Sequence, residues 1–157
     1  MSRSFLGLGS NEGDPIRQIE SVLVELPERG VPVVRVSSLY RTEPVSGPPQ
    51  AWYQNAVAEV AFEGEPLSLL RVCRSIESLH GRKHAERNAP RTLDLDILLF
   101  GDRILDTPEL TIPHPRFRER RFVLVPMAEI APDVEDPVSG LTVRELLSRC
   151  PDRSAVL

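Results

Sequence analysis

Lysine is all but missing from this chain: Lys83 is the only one, and the other basic residues are arginines. Acidic residues outnumber basic ones, 23 to 19, for a formal net charge of -4. A bulk nucleic-acid binder needs net or strongly patched positive charge, so that class is disfavoured. Cysteine is scarce too. Cys73 sits among the apolar positions of an expected helix and Cys150 lies near the C-terminus. That pattern fits neither a disulfide framework nor a zinc site and suggests a reducing compartment. No signal-peptide pattern and no apolar run of about 20 residues appears. A cytoplasmic location with no membrane partner is therefore expected. His80, His84 and His114 share no ligand-like spacing. There is no phosphate-binding glycine loop with its lysine, and no serine–histidine or cysteine–histidine pairing for covalent catalysis.

What is present fits one soluble domain over residues 1–157, with 41% hydrophobic and 27% charged residues. Ser4 to Leu8 reads as a buried strand, and Gly7-Leu8-Gly9 with Gly13 as a tight turn in place of a dinucleotide fingerprint. Asp14-Pro15 should cap a helix carrying Ile16, Ile19, Val22, Leu23 and Leu26. Val31 to Tyr40 is expected as a second strand, residues 43–50 as a proline-rich surface loop, and Asn55 to Phe62 as a third strand. Pro66 opens a second helix with Leu69, Leu70, Cys73, Ile76 and Leu79 on one face. A polar loop from His80 to Pro90 then leads into the strand from Asp94 to Phe100.

The order strand, helix, strand, strand, helix, strand predicts an α+β, ferredoxin-like βαββαβ sandwich, with helices packed on one face of an antiparallel sheet. A C-terminal extension follows. It holds a small hairpin near Arg103 to Leu105, an arginine-rich stretch after Pro113-His114-Pro115, and a last helix from the capping box Thr142 to Glu145.

The chemistry concentrates in Arg87 to Asp96. On an extended strand, Asp94 and Asp96 face one side while Leu93, Leu95 and Ile97 enter a core. Adjacent hard oxygen ligands suit Mg²⁺, which completes its shell with water and substrate phosphates. Arg82, Lys83, Arg87 and Arg91 lie just upstream, able to hold those phosphates through planar, permanently charged forks. Tyr53 and Asn55 face the same way on the third strand, an aromatic face beside an amide that suits a flat heteroaromatic ring. Phe122, after the second arginine group, is a candidate for the other face. His114, held between two prolines, is open to either a ligand contact or a structural role.

These pieces together resemble the 6-hydroxymethyl-7,8-dihydropterin pyrophosphokinases of folate biosynthesis almost end to end. The resemblance is carried by Gly9-Ser10-Asn11, Ser38 to Thr42, Tyr53-Gln54-Asn55, Gly81-Arg82, Arg87, Pro90 to Asp96, Pro113-His114-Pro115, and Phe122 with Glu129 to Pro132. It implies diphosphate transfer from ATP to the pterin alcohol, with AMP leaving. By the same resemblance, Asp94 and Asp96 would hold two Mg²⁺ ions, and Arg82 and Arg91 would be the catalytic arginines. Thr42, Pro44, Val45, Tyr53, Asn55 and Phe122 would bind the pterin. Glu77, Arg82, His84, Arg91, Ile97, Thr111, His114 and Arg120 would contact ATP. Other folate-pathway enzymes would be possible partners.

The chain departs from the family at Asn88-Ala89, where tryptophan-glycine is frequent, at Lys83 and His84, and at Glu109. Two other readings of these residues compete. An Asp-x-Asp nucleotide-sugar transferase would need a larger α/β core. A ferredoxin-like RNA-binding module would need a basic net charge and exposed aromatics on central strands.

Overall fold

A computed structural model of the chain describes residues 2–44, 51–80 and 93–157. Its five-stranded sheet is built around β1 (Ser2–Ser10), which pairs antiparallel with β4 (Tyr53–Phe62) on one side and β5 (Asp94–Phe100) on the other. Two short strands, β2 (Val33–Val36) and β3 (Tyr40–Thr42), both pair with β4. A separate two-stranded ribbon joins β6 (Leu105–Asp106) to β7 (Thr111–Ile112), the hairpin expected near Arg103 to Leu105.

Helix α1 (Pro15–Glu28) starts where Asp14 accepts a hydrogen bond from the Arg17 N–H at 3.3 Å and Pro15 presets the first turn. Ile19, Val22 and Leu26 recur at helical spacing and are fully buried. The helix stops at Arg29, and Gly30 follows in the left-handed region with φ of 83°. Helix α2 (Pro66–Leu79) buries Leu69, Cys73 and Ile76, whereas Leu79, expected on the same face, is 64% exposed. It is the last residue of the helix.

Both helices pack on the face formed by Leu6, Leu8, Ala58, Val60, Leu95 and Ile97. Burying side chains of this size contributes about 1.5–3 kcal/mol each before entropy is counted. The opposite face is covered as well. Helices α3 (Arg121–Ile130) and α4 (Val143–Arg149) close a second core over Phe5, Val57, Leu98 and Leu99. The expected helices-on-one-face arrangement thus holds for α1 and α2, and the C-terminal extension supplies the other layer.

Three local expectations are corrected. Gly7-Leu8-Gly9 lies inside β1 and forms no turn; of these glycines only Gly13 leaves the strand, at a bend with φ of 68°. The strand predicted from Val31 to Tyr40 is split into β2 and β3. The Ser37 hydroxyl accepts from the Val57 N–H at 2.9 Å and the Ser38 N–H turns to the Glu129 carboxylate at 3.0 Å, which interrupts the ladder. The arginine-rich stretch after Pro115 becomes a 3₁₀ turn (Phe117–Glu119) and then α3, a helix that its paired arginines and internal Pro126 conceal. The capping box on α4 is present, with Thr142 and Glu145 each satisfying the other's N–H. Among the described residues, no helix is long and apolar enough to cross a membrane.

The second layer is fastened by one buried carboxylate. Asp136, fully buried, accepts from Arg118 Nε at 2.5 Å and Nη2 at 2.8 Å, from the Val138 N–H and from the Ser139 hydroxyl. Burial alone would raise its pKa, but these hydrogen bonds outweigh it and hold the group at about 2. Removing the acceptor leaves the other partners unsatisfied. Asp136→Ala is therefore expected to destabilise the fold by about 3 kcal/mol, which for a chain of this size lowers the melting temperature by roughly 6–12 °C. A melting curve superimposable on that of the unaltered chain would refute this role.

Candidate active site

The register of β1 lays out the site. Gly9 stands between Asn55 of β4 and Asp94 of β5, and Gly7 between Val57 and Asp96. Side chains alternate across a sheet, so both rows share a face, opposite to Leu8 and Leu95. These rows form the floor of a cleft of about 460 Å³. Glycine matters at both floor positions. A Cβ on Gly9 would sit 2.6 Å from Asn55 Oδ1, closer than van der Waals contact allows, and one on Gly7 would sit 3.4 Å from the Leu98 side chain.

One wall is aromatic and amide-bearing. Asn55 is buried and donates from Nδ2 to Thr42 Oγ1 at 2.5 Å, while Thr42 itself is pinned by its pairing with Tyr53. Pro44 and Tyr53 also line this side, and Phe122, in the first turn of α3, lines the cleft as well. Arg120 places its guanidinium 5.5 Å from the Phe122 ring centroid, within cation–π range.

The other wall is cationic. Pairing of β1 with β5 shifts register between Phe5 and Leu6, leaving Leu98 as an extra residue. Its carbonyl accepts from the His114 N–H at 3.0 Å, tying the Pro113-His114-Pro115 segment to the end of the carboxylate strand. His114, Arg116 and Arg120 all line the cleft, with Glu119 beside them. Nδ1 of His114 accepts from the Arg116 N–H at 3.2 Å, so the neutral ring carries its proton on Nε2. Burial, reinforced by Arg120 and Arg116, pushes the His114 pKa down to about 4. Burial also lowers Arg120, against the opposing pull of Asp96 and Asp94.

The structure therefore brings together Thr42, Pro44, Tyr53, Asn55, Asp94, Asp96, His114, Arg120 and Phe122. Three expected nucleotide contacts lie off the cleft. Ile97 is buried in the core under α1 and α2, because alternation along β5 turns it away from Asp96. Glu77 is buried on that same side, and its carboxylate accepts from the Leu95 N–H at 2.8 Å. Thr111 is half-buried in the β6–β7 ribbon. Val45, Arg82, His84 and Arg91 lie outside the described residues, as do Lys83, Arg87, Asn88 and Ala89. Gly7, Gly9, Arg116 and Glu119 were missed. The two glycines face Asn55 and Asp94 only once strand order is known, but Arg116 follows His114 by two residues and belonged to a visible arginine cluster.

Among the described residues, no three histidine, cysteine or carboxylate groups converge as a metal cage. The carboxylate donor set is Asp94 and Asp96, which suits a hard cation that takes its remaining ligands from water or phosphate.

The low His114 pKa has a direct consequence for stability. Between its ordinary value of 6.5 and about 4, the unfolded chain gains a proton there that the folded chain refuses. Stability contributed by the neutral ring is complete above pH 6.5 and is lost as the pH falls through that window. The ligand-free His114→Gln variant should lose part of this acid sensitivity, so its melting temperature drops less between pH 7 and 4.5. Parallel pH profiles for the two proteins would contradict the assignment.

Comparison with known proteins finds relatives over most of the chain. Residues 5–132 match the family described as 7,8-dihydro-6-hydroxymethylpterin-pyrophosphokinase. A 2-amino-4-hydroxy-6-hydroxymethyldihydropteridine pyrophosphokinase from Synechocystis sp. is 43% identical over 93% of this chain and 75% of its own length. The enzyme of that name from Methylorubrum extorquens is 42% identical over 95% of this chain and 94% of its own. Among solved structures, a Plasmodium falciparum HPPK-DHPS chain superposes with a TM-score of 0.77 at 18% identity, which establishes likeness of fold. The present chain covers 45% of that longer one. With its ferredoxin-like sheet and this extent of match, the chain belongs to the 7,8-dihydro-6-hydroxymethylpterin-pyrophosphokinase family.

Proposed function

We propose that the chain transfers diphosphate from ATP to the hydroxymethyl group of 6-hydroxymethyl-7,8-dihydropterin. The observation that carries this reading is the row Asn55–Gly9–Asp94, which sets a ring-reading amide and a metal-type carboxylate on one face with no side chain between them. Tyr53 and Phe122 would stack on the pterin, with Asn55, Thr42, Pro44 and Val45 around its polar edge. His114, Arg116 and Arg120 would meet the nucleotide from the other wall. Arg82 and Arg91 are proposed as the arginines that bind the phosphates during transfer, with His84 and Thr111 as further nucleotide contacts.

Asp94 and Asp96 would hold two Mg²⁺ ions, whose contribution when bound is neutralisation of phosphate charge. The pterin hydroxyl oxygen attacks the β-phosphorus in line. The bond from that phosphorus to the oxygen bridging it to the α-phosphorus breaks, AMP departs with the electron pair, and the hydroxyl proton is lost to water or phosphate. Positioning and charge carry such a transfer, so no dedicated base is required. His114 remains neutral near pH 7 and offers Nε2–H as a donor without adding to the cationic wall. Proteins of the folate pathway are the proposed partners, a reading supported by the joined HPPK-DHPS architecture of the Plasmodium chain. The nucleotide-sugar and RNA-binding readings have no comparable support.

The test is pterin-dependent release of AMP from ATP. The unaltered chain should form AMP and pterin diphosphate in equal amounts, and only with a divalent cation. Asp96→Asn should reduce turnover at least about a thousandfold, a loss in the range of removing one strong electrostatic contact from a transition state, while the melting temperature stays level or rises. Release of ADP, or near-normal turnover of Asp96→Asn, would sink the proposal.

A further inference from the structure

The carboxylate strand is an edge strand. Among the described residues, in the order β2-β4-β1-β5, β5 has a strand neighbour, β1, on one side only. The outward backbone groups of an edge strand need partners from elsewhere or from water. At Leu95, between Asp94 and Asp96, they are met by side chains of α2. Glu77 Oε2 accepts from the Leu95 N–H at 2.8 Å, and Arg74 Nη1 donates to the Leu95 carbonyl at 3.2 Å. Arg74 also donates to Glu77 Oε1 at 2.6 Å, which closes the set.

We propose that Arg74 and Glu77 act as a side-chain substitute for a missing neighbour strand, and that this clamp sets the orientation of Asp94 and Asp96. Both are positioning residues, since neither is among the described residues that line the cleft. An antiparallel neighbour offers a facing residue one acceptor and one donor, and the carboxylate and guanidinium reproduce that pair. The arrangement demands an explanation because Glu77 is only 1% exposed. A buried carboxylate is costly, and a leucine would fill the same space without that cost. What leucine cannot do is hold Leu95 by both backbone groups. Residues on either side of Leu95 face the opposite way, so a roll of β5 about its axis would swing both carboxylates together. Fixing the two peptide planes that flank Leu95, one shared with Asp94 and one with Asp96, therefore fixes two ligands. Leu93, Leu95 and Ile97 anchor the strand by packing, but apolar contact is non-directional and restrains a roll weakly.

This inference rests on the proposed metal role of Asp94 and Asp96, and its test separates the two. The measurements are Mn²⁺ affinity in the presence of a non-hydrolysable ATP analogue, by electron paramagnetic resonance, and hydrogen exchange of the Leu95 amide without ligand. Glu77→Met should weaken Mn²⁺ binding about tenfold and speed Leu95 exchange by a similar factor. Glu77→Gln, which keeps an acceptor for Leu95, should restore most of both. Arg74→Met is the second variant, made where the side chain is 49% exposed, should Glu77→Met fail to fold; about a threefold shift in both readouts is expected there. A folded clamp variant with wild-type Mn²⁺ affinity and wild-type Leu95 exchange would overturn the proposal. If Asp96→Asn leaves Mn²⁺ affinity unchanged, the metal reading falls instead. Leu95 exchange then decides the clamp alone, and a rate unchanged by Glu77→Met overturns it.

Discussion

Strand β1 can run through the middle of the sheet and still leave a cleft above it because Gly7 and Gly9 put no side chain on that face. Glycine in a strand interior gives up about 0.5–1 kcal/mol relative to alanine and packs nothing. Here the loss is offset by pairing along both sides of β1, from Ser2 to Ser10 against β4 and from Ser4 to Gly9 against β5. The rest of the site follows from that bare surface. Asn55 and Asp94 look across Gly9, and Val57 and Asp96 across Gly7, so two chemically different walls stand about two strand spacings apart with open floor between them.

The charges around the floor are divided with some economy. Arg118 is committed to buried Asp136 and braces the C-terminal layer. Arg116 and Arg120, flanking it in sequence, line the cleft. His114 lies with them but is held neutral by burial and by those two arginines, which keeps the wall from accumulating a third positive charge near pH 7. The bulge at Leu98 links the halves of the arrangement, since the carbonyl it frees holds His114 in place. On the far side of the same strand, the Arg74–Glu77 pair takes Leu95. The carboxylate strand is thus held by directional bonds at successive points along its length, although it lies at a sheet edge.

Much of this was legible in the sequence because it rests on local period and local caps. The alternation from Leu93 to Ile97, the Asp14 cap, and the Thr142–Glu145 box each fix their geometry within a few residues. Tyr53, Asn55, Asp94, Asp96 and Phe122 could be chosen on residue chemistry and on likeness to a family. What was hidden depends on partners distant in the chain. Gly7 and Gly9 carry the signature of a turn, and only the pairing with β4 and β5 reveals them as floor. Glu77 reads as a possible ligand contact until the fold shows its carboxylate spent on Leu95. Helix α3 was obscured by Arg120-Arg121 and Pro126, and its apolar residues gain meaning from the second core that they close.

In the proposed function, the open floor at Gly9 keeps Asn55 in place to read a ring while the carboxylates on β5 act independently. Calorimetry of Gly9→Ala with the pterin, and separately with Mn²⁺ and a non-hydrolysable ATP analogue, tests it most directly. An added methyl group must displace the Asn55 side chain, so pterin affinity should fall about tenfold or more, as for loss of a buried hydrogen-bonding group, with the nucleotide–metal affinity little changed. A folded Gly9→Ala chain that binds pterin as tightly as the unaltered protein would contradict the account.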